Sequence, residues 1–138
     1  MPTIRASLVA SNALESFMKS CLIVDDSRVV RKVATRIASD FGFACHEAED
    51  GDQAFAMCQS QMPDAIILDW NMPVMSGLEF LEKLRAMKDG AHPKVIFCTT
   101  ENDINHVQRA LRAGANEYVM KPFDSEILQN KFVQIGLL

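Results

Sequence analysis

The sequence predicts a doubly wound α/β fold in which helices cover both faces of a five-stranded parallel sheet. Short apolar runs alternate along the chain with longer segments whose apolar residues recur at helical spacing. The apolar runs are continuous, which is typical of strands that are buried on both faces. The length of 138 residues and the hydrophobic content of 49% suit one domain with a sizeable core.

Five strands and five helices are predicted in strict alternation. The strands are residues 21–24, 44–48, 65–68, 95–98 and 117–120. The helices are residues 27–41, 52–61 and 78–87, one from Asn102 or Asp103 to Gly114, and one from Asp124 nearly to the end. Ser27 is a favourable N-cap for the first helix, and Gly42 is a favourable stop.

Strand order follows from the right-handed connections that parallel strands require. With five strands and this length, the favoured order is 2-1-3-4-5, the flavodoxin-like arrangement. In such a sheet, ligands bind beyond the carboxyl ends of the strands, beside the point where the order reverses. We therefore expect the functional site next to the ends of the first and third strands.

Composition excludes several classes of function. The net charge of -4 gives no reason to expect DNA binding. The four cysteines form no C-x-x-C pair, so buried, reduced thiols in a cytoplasmic protein are expected rather than disulfides or zinc ligands. No apolar run is long enough to cross a membrane.

The amino-terminal residues 1–19 are treated as an extension of a domain that spans residues 20–138. The segment has no long apolar stretch and makes a poor signal peptide. Translation starting at Met18 would make it an upstream extension, whereas Leu14, Phe17 and Met18 could instead form a short docked helix. We favour a loosely ordered extension.

Polar residues end four of the five predicted strands. Asp25 and Asp26 follow the first strand, and Asp69 follows the third. Thr99 and Lys121 end the fourth and fifth strands. Three carboxylates in one pocket repel one another, and Mg²⁺ removes that conflict because it prefers oxygen ligands. Such a pocket leaves one carboxylate oxygen free to accept a phosphoryl group.

Each of these residues also has an ordinary structural interpretation. Asp25 or Asp26 could cap the first helix, Thr99 could cap a turn, and Lys121 could be a solvated charge. All of these interpretations must hold together for the site to be absent.

The residues that end the strands resemble those of the receiver domain of bacterial two-component response regulators. The matching stretches are residues 23–27, 67–73 with Gly77, Thr99 and residues 121–123. The resemblance covers about residues 20–138, and within the family it is greatest to the single-domain chemotaxis regulators. It implies that Asp69 is the phosphoacceptor and that Mg²⁺ is bound by Asp26, Asp69, the backbone carbonyl of Asn71 and, through water, Asp25.

The resemblance implies further roles at the same site. Thr99 moves toward the phosphoryl group, Lys121 contacts it, and Tyr118 changes rotamer on activation. Asn71 and Glu101 tune a dephosphorylation that the protein catalyses itself. The Lys121–Pro122 peptide bond is expected to be cis.

Two residues depart from the family pattern. Thr100 stands where a small residue is usual and can slow access to Asp69. Glu117 also replaces a residue that is often small, which can change the choice of partner.

The expected partners are proteins. A sensor histidine kinase or a histidine phosphotransfer domain supplies the phosphoryl group to a monomeric receiver. A downstream target binds the face built from the fourth helix, fifth strand and fifth helix, which carries His106, Arg109 and Arg112. The first helix carries a basic stripe that is either a docking patch for an acidic partner or a solvated face, and its residues are Arg28, Arg31, Lys32 and Arg36.

Several other functions remain as alternatives. Within the receiver family, the chain could be a phosphate sink, a phosphorelay intermediate or a cyclic-dinucleotide effector. A haloacid-dehalogenase-type phosphatase would need a second Asp two residues after its nucleophile, where this chain has Asn71. An FMN-binding protein would need a hydroxyl-rich loop where this chain has Asp25 and Asp26.

Overall fold

A computed structural model describes residues 18–100 and 104–138 of the chain. The strands are β1 (Ser20–Val24), β2 (Ala44–Ala48), β3 (Ala65–Asp69), β4 (Lys94–Thr99) and β5 (Glu117–Met120). The helices are α1 (Arg28–Asp40), α2 (Gly51–Ser60), α3 (Gly77–Ala86), α4 (Ile104–Arg112) and α5 (Ser125–Gln134). All strand pairs are parallel, in the order β2-β1-β3-β4-β5. The predicted fold is therefore confirmed.

Two hydrophobic cores lie on opposite faces of the sheet, because successive side chains of a strand point to opposite faces. Leu22 and Val24 of β1 join one core with α2, α3 and α4, whereas Cys21 and Ile23 join the other with α1 and α5. Burial of each large apolar side chain stabilises the fold by about 1.5–3 kcal/mol. Packing on both faces fixes the positions of the strand ends.

Capping side chains in the sequence set the starts of four helices. The side chains of Ser27, Asp50, Ser76 and Asp124 each accept a hydrogen bond from the backbone N–H three residues later. Each such cap stabilises a helix by about 1 kcal/mol. The predicted cap at Ser27 is confirmed.

Glycines follow the ends of three helices. Gly42 and Gly114 have φ values of 93° and 111°, a conformation that glycine adopts without steric strain, and both predicted stops are confirmed. Gly136, with φ of 82°, follows α5 in the same way. The alternative starts of the fourth helix, Asn102 and Asp103, lie outside the described residues.

The predicted division at residue 20 remains a prediction, because residues 1–17 also lie outside the described part of the chain. Lys19, directly before β1, donates a hydrogen bond of 3.4 Å from Nζ to the carbonyl oxygen of Leu137. The beginning of the domain is thus joined to its last turn.

The loop between β3 and α3 packs closely against the end of β3. The N–H of Gly77 donates to the carbonyl oxygen of Trp70 at 3.1 Å. A Cβ atom at position 77 would overlap the carbonyl oxygen of Asp69, so glycine permits this approach. Val74 has a φ of 71°, which is strained for a β-branched residue, while Met75 is buried. The loop is thereby held over the sheet edge.

Asp64 joins the start of β3 to its surroundings. Its carboxylate accepts from the N–H of Ser20 at 2.8 Å and lies 2.9 Å from Nε2 of His92. Burial raises the pKa of Asp64, but the hydrogen bonds from His92 and Ser20 outweigh burial and lower it below the ordinary value of 3.8. Because the folded-state pKa is the lower one, this stabilisation is present above pH 3.8 and is lost as pH falls through the folded-state value.

We predict that Asp64→Asn lowers the free energy of unfolding by about 1 kcal/mol at pH 7. The difference from the parent should shrink as the pH falls below the ordinary aspartate range, because the parent carboxylate is then protonated as well. Urea denaturation at several pH values measures it. Asp52→Asn, which alters an exposed carboxylate of α2, serves as the control. If the difference in the free energy of unfolding does not change with pH, the ionised carboxylate of Asp64 is not the source of the stabilisation.

Candidate functional site

Three carboxylates meet at the carboxyl edge of the sheet. Asp25 and Asp26 follow β1, and Asp69 is the last residue of the adjacent β3. Each offers a carboxylate oxygen, and these atoms all lie within 4.8 Å of one another. Asp25 and Asp69 are buried, whereas Asp26 is exposed. The site is therefore closed on the protein side and open to solvent at Asp26.

Lys121 brings a positive charge into this cluster from the end of β5. Its Nζ lies 2.7 Å from Oδ2 of Asp25 and 2.9 Å from Oδ1 of Asp69. Its backbone N–H donates to the carbonyl oxygen of Thr99 at 2.8 Å, which joins the ends of β4 and β5. The Lys121–Pro122 peptide bond is cis, as the resemblance implied.

Burial and charge act together on the groups of this site. Burial raises the pKa of Asp69 to about 6, with a hydrogen bond from Lys121 opposing the shift and the charges of Asp25 and Asp26 adding to it. Burial lowers the pKa of Lys121, but hydrogen bonds to Asp25 and Asp69 outweigh burial, and the pKa is raised. The ammonium is therefore charged at neutral pH, and one cation does not fully balance the acids.

The alternative interpretation of the acidic pair, in which Asp25 or Asp26 stabilises the start of the first helix, holds in part. Oδ1 of Asp25 accepts from the N–H of Ser27 at 2.8 Å, so this residue does stabilise the turn before α1. The helix cap itself is Ser27, whose Oγ accepts from Val30. Because Oδ2 of Asp25 faces Lys121, the same carboxylate serves both the turn and the site.

The other predicted site residues that the structure describes lie on β4, on β5 and on the loop after β3. Thr99 is buried at the end of β4, the strand that pairs with the strand of Asp69. Asn71 is exposed on the loop two residues after Asp69. Tyr118 is half-buried within β5, with Nζ of a lysine from α5 at 5.0 Å from its ring centre. Glu101 lies outside the described residues.

The cysteines offer no competing nucleophile at the site. Cys98 is paired with Asp69 in the sheet, but burial raises the pKa of its thiol far above the physiological range. All four cysteines are free thiols. The thiol next to Asp69 in the sheet is therefore protonated at neutral pH.

An aromatic contact that the sequence did not predict joins the site to α4. The ring of Trp70 stacks on His106 with centroids 4.7 Å apart and planes at 21°. The guanidinium of Arg109 lies 5.8 Å from the centre of the same ring, and Phe97 packs at 5.0 Å on a tilted plane. The spacing of His106 and Arg109 placed both on one face of the helix, but it gave no indication of the partner.

The basic stripe predicted on α1 is not uniform, and Arg31 does not belong to a solvated face. Its side chain is 12% exposed and donates to the carbonyl oxygen of Asp25 and to Glu47. Lys32 also pairs with Glu47, at 2.8 Å. Both side chains pair with Glu47 because it lies on β2 beside α1. The spacing of residues along a helix cannot reveal a partner on another element.

The chemistry of the cluster fits a magnesium ion. Its donors are carboxylate oxygens, the hard ligands that Mg²⁺ prefers, and Asp26 gives them access to water. Burial is the main cause of the raised pKa of Asp69, but the charges of Asp25 and Asp26 add to it, and a divalent cation would relieve that repulsion. The arrangement suits phosphoryl transfer to a carboxylate, which requires positioning and neutralisation of negative charge.

Comparison with known protein families finds a family model that spans most of the chain. Residues 21–133 match the family model described as the response regulator receiver domain. This chain belongs to the response regulator receiver family. The receiver therefore functions as a response regulator, and the phosphatase and FMN-binding alternatives are set aside.

The receiver is similar to chemotaxis proteins from several bacteria. It is 37% identical to the chemotaxis protein CheY of Pseudomonas aeruginosa over 115 residues, which cover 83% of this chain and 93% of that relative. It is 36% identical to CheY1 of Helicobacter pylori J99 over 112 residues, which cover 80% and 90%. The solved structure of CheY4 of Vibrio cholerae aligns with a TM-score of 0.81 at 33% identity, covering 86% of this chain and 98% of that one.

These relatives agree with the regulator interpretation and do not favour a phosphate sink, a relay intermediate or a cyclic-dinucleotide effector.

Among the residues that the structure describes, no helix has the length and apolar character needed to span a membrane.

We predict that Mg²⁺ changes the fluorescence of Trp70, the single tryptophan, because this ring directly follows Asp69 in the chain. Asp26→Asn should weaken the apparent Mg²⁺ affinity roughly tenfold or more by removing a ligand. Titration of emission against Mg²⁺ concentration measures both effects.

The matched control is Asp52→Asn, which removes one negative charge outside the cluster. It should titrate like the parent, which separates ligand loss from a change in net charge. A parent protein whose emission and heat of mixing are unchanged by Mg²⁺ would contradict the metal site.

Proposed function

We propose that the receiver accepts a phosphoryl group on Asp69 from a histidine kinase or a histidine phosphotransfer domain and acts in chemotaxis. The observation that carries the proposal is the buried Asp69 carboxylate, hydrogen-bonded to Lys121 within a trio of acids. The chemotaxis proteins to which the chain is similar support the choice of pathway.

The transfer begins with attack of a carboxylate oxygen of Asp69 on the phosphorus of a phosphohistidine. The phosphorus–nitrogen bond breaks as the new phosphorus–oxygen bond forms, and the imidazole leaves with the electron pair and takes up a proton. Lys121, already 2.9 Å from Asp69, neutralises charge on the transferred group. The product is an aspartyl phosphate.

The proposed cofactor is Mg²⁺, held by Asp26, Asp69 and the backbone carbonyl of Asn71, with Asp25 acting through water. When bound, the ion supplies additional neutralisation of the phosphoryl oxygens. The cluster of carboxylate oxygens supports this choice, as does the repulsion of Asp69 by the charges of Asp25 and Asp26.

Hydrolysis ends the signal in this proposal. Water attacks the phosphorus of the aspartyl phosphate, and the carboxylate of Asp69 is released with inorganic phosphate. Asn71 and Glu101 tune the rate, and the exposure of Asn71 on the loop after Asp69 is compatible with contact to the attacking water. The protein thereby catalyses its own dephosphorylation.

Docking of the phosphodonor is proposed at the amino-terminal end of α1. Val29 and Val33 are 73% and 45% exposed there. With Lys121, Pro122 and Phe123 they line an apolar cleft of about 410 Å³ beside the site. A helical donor domain that covers this cleft would bring its histidine to Asp69 and exclude water.

Output is proposed through the face of α4, β5 and α5, with Thr99 and Tyr118 as the moving residues. Exposed apolar side chains on this face support binding of a protein target, and they are Ile104, Leu111, Met120 and Ile127. The stack of Trp70 on His106 provides a direct contact between the phosphoacceptor loop and α4. A coupling of about 1–3 kcal/mol is sufficient for a useful change in target affinity.

We further propose that the receiver acts as a monomer in the cytoplasm, where its four free thiols stay reduced.

We predict that Asp69→Asn abolishes incorporation of label from radioactive acetyl phosphate in the presence of Mg²⁺, because the amide is a poor nucleophile. Glu82→Gln, an exposed substitution on α3, should label like the parent. Circular dichroism establishes that the Asn variant is folded. Equal labelling of the Asn variant and the parent would refute the assignment of Asp69.

We also predict that Lys121→Ala retains its fold and Mg²⁺ binding but binds beryllofluoride at least about tenfold more weakly, through loss of a charged hydrogen bond. The change in Trp70 fluorescence on adding beryllofluoride is the measurement. Lys83→Ala, on the exposed side of α3, is the control. A variant that responds like the parent would show that the ammonium has no part in phosphoryl recognition.

A further inference from the structure

Asp25 is held at all of its polar groups. Its N–H donates to the carbonyl oxygen of Ala48 at 3.1 Å. Its two carboxylate oxygens accept from the N–H of Ser27 at 2.8 Å and from Nζ of Lys121 at 2.7 Å. Its carbonyl oxygen accepts from Nη1 of Arg31 at 2.7 Å. Lys121 contacts the carboxylate of Asp25, whereas Arg31 is the charged side chain that contacts its backbone and fixes it.

Arg31 is itself restrained from a second direction. Its Nε donates to Oε1 of Glu47 at 3.2 Å, and its side chain is 12% exposed. The guanidinium thus bridges the end of β1, through Asp25, and the end of β2, through Glu47. A planar guanidinium presents several donors in a fixed geometry, so one side chain can satisfy both acceptors. Lys32 contacts Glu47 as well, but its side chain is 59% exposed.

We propose that Arg31 is a positioning residue of the cation site, which it serves by fixing the backbone of Asp25 so that its carboxylate faces Lys121 and Asp69. This inference rests on the proposed function in assuming that the acidic trio binds Mg²⁺. Arg31 contributes no ligand atom, since its guanidinium contacts the carbonyl of Asp25 and not the carboxylate.

If Arg31 acts only through its positive charge, its removal should change the Mg²⁺ affinity in the opposite direction from its removal as a positioning residue. A positive charge near a cation site repels Mg²⁺, so removing the guanidinium should strengthen binding if charge alone matters. If Arg31 acts by positioning, removing it lets Asp25 relax and should weaken binding. The sign of the change in Mg²⁺ affinity therefore decides between the two roles.

The experiment is a titration of the folded protein with MgCl₂, in which calorimetry and Trp70 fluorescence both measure binding. We expect Arg31→Met to bind Mg²⁺ about tenfold more weakly than the parent, the lower end of the effect of residues that orient metal ligands. Arg31→Lys should also bind more weakly, by a smaller factor, because one ammonium cannot replace a fork of donors. Lys32→Met removes a charge from the same Glu47 without contact to Asp25, and should bind as the parent does or more tightly.

A double-mutant cycle distinguishes positioning from general destabilisation. In an Asp25→Asn background, Arg31→Met should weaken Mg²⁺ binding by much less than tenfold, because the carboxylate that it orients is gone. Equal or tighter binding by Arg31→Met, an effect of Lys32→Met as large, or a loss that persists in the Asp25→Asn background would each overturn the inference. A parent that binds no Mg²⁺ refutes the proposed metal site, and this inference with it.

Discussion

The ammonium of Lys121 between the carboxylates of Asp25 and Asp69 is the interaction on which the site depends. Nζ of Lys121 lies 2.7 Å from Oδ2 of Asp25, which is 96 positions away in the chain. The same atom lies 2.9 Å from Oδ1 of Asp69, which is 52 positions away. Without it, two buried carboxylates and the nearby Asp26 would repel one another at the end of the sheet. Even with it, burial raises the pKa of Asp69 to about 6, and the charges of Asp25 and Asp26 add to the rise. The carboxylate oxygens of this cluster suit the divalent cation that the proposed function assigns to the site.

The sheet makes this interaction possible because both of its faces are packed. Apolar side chains of each strand enter two separate cores, and the strand ends have little freedom to move apart. Local contacts then adjust the site at shorter range: glycine at position 77 allows α3 to approach Asp69, and Trp70 stacks on His106 of α4. The rigid edge and the stacked ring give a chemical change at Asp69 a physical connection to the proposed output face.

Much of the fold was predictable because its signals are local. Apolar runs, the Ser27 cap and the stops at Gly42 and Gly114 act within a few residues of the chain, and each was confirmed. Convergence of the acids was predictable for a related reason, since parallel strands bring their carboxyl ends to one edge. Arg31 was interpreted as part of a basic helix face instead, because its partners lie at the end of β1 and on β2.

The sequence by itself determined the order of strands and helices, the residues at the strand ends and the family of the protein. Tertiary structure alone decided which oxygen of Asp25 faces Lys121, which basic residue of α1 turns inward and which ring covers Trp70. The physical reason is one of range. Secondary structure follows from interactions between near neighbours, whereas hydrogen bonds and stacking vary over tenths of an ångström and depend on how packed elements meet.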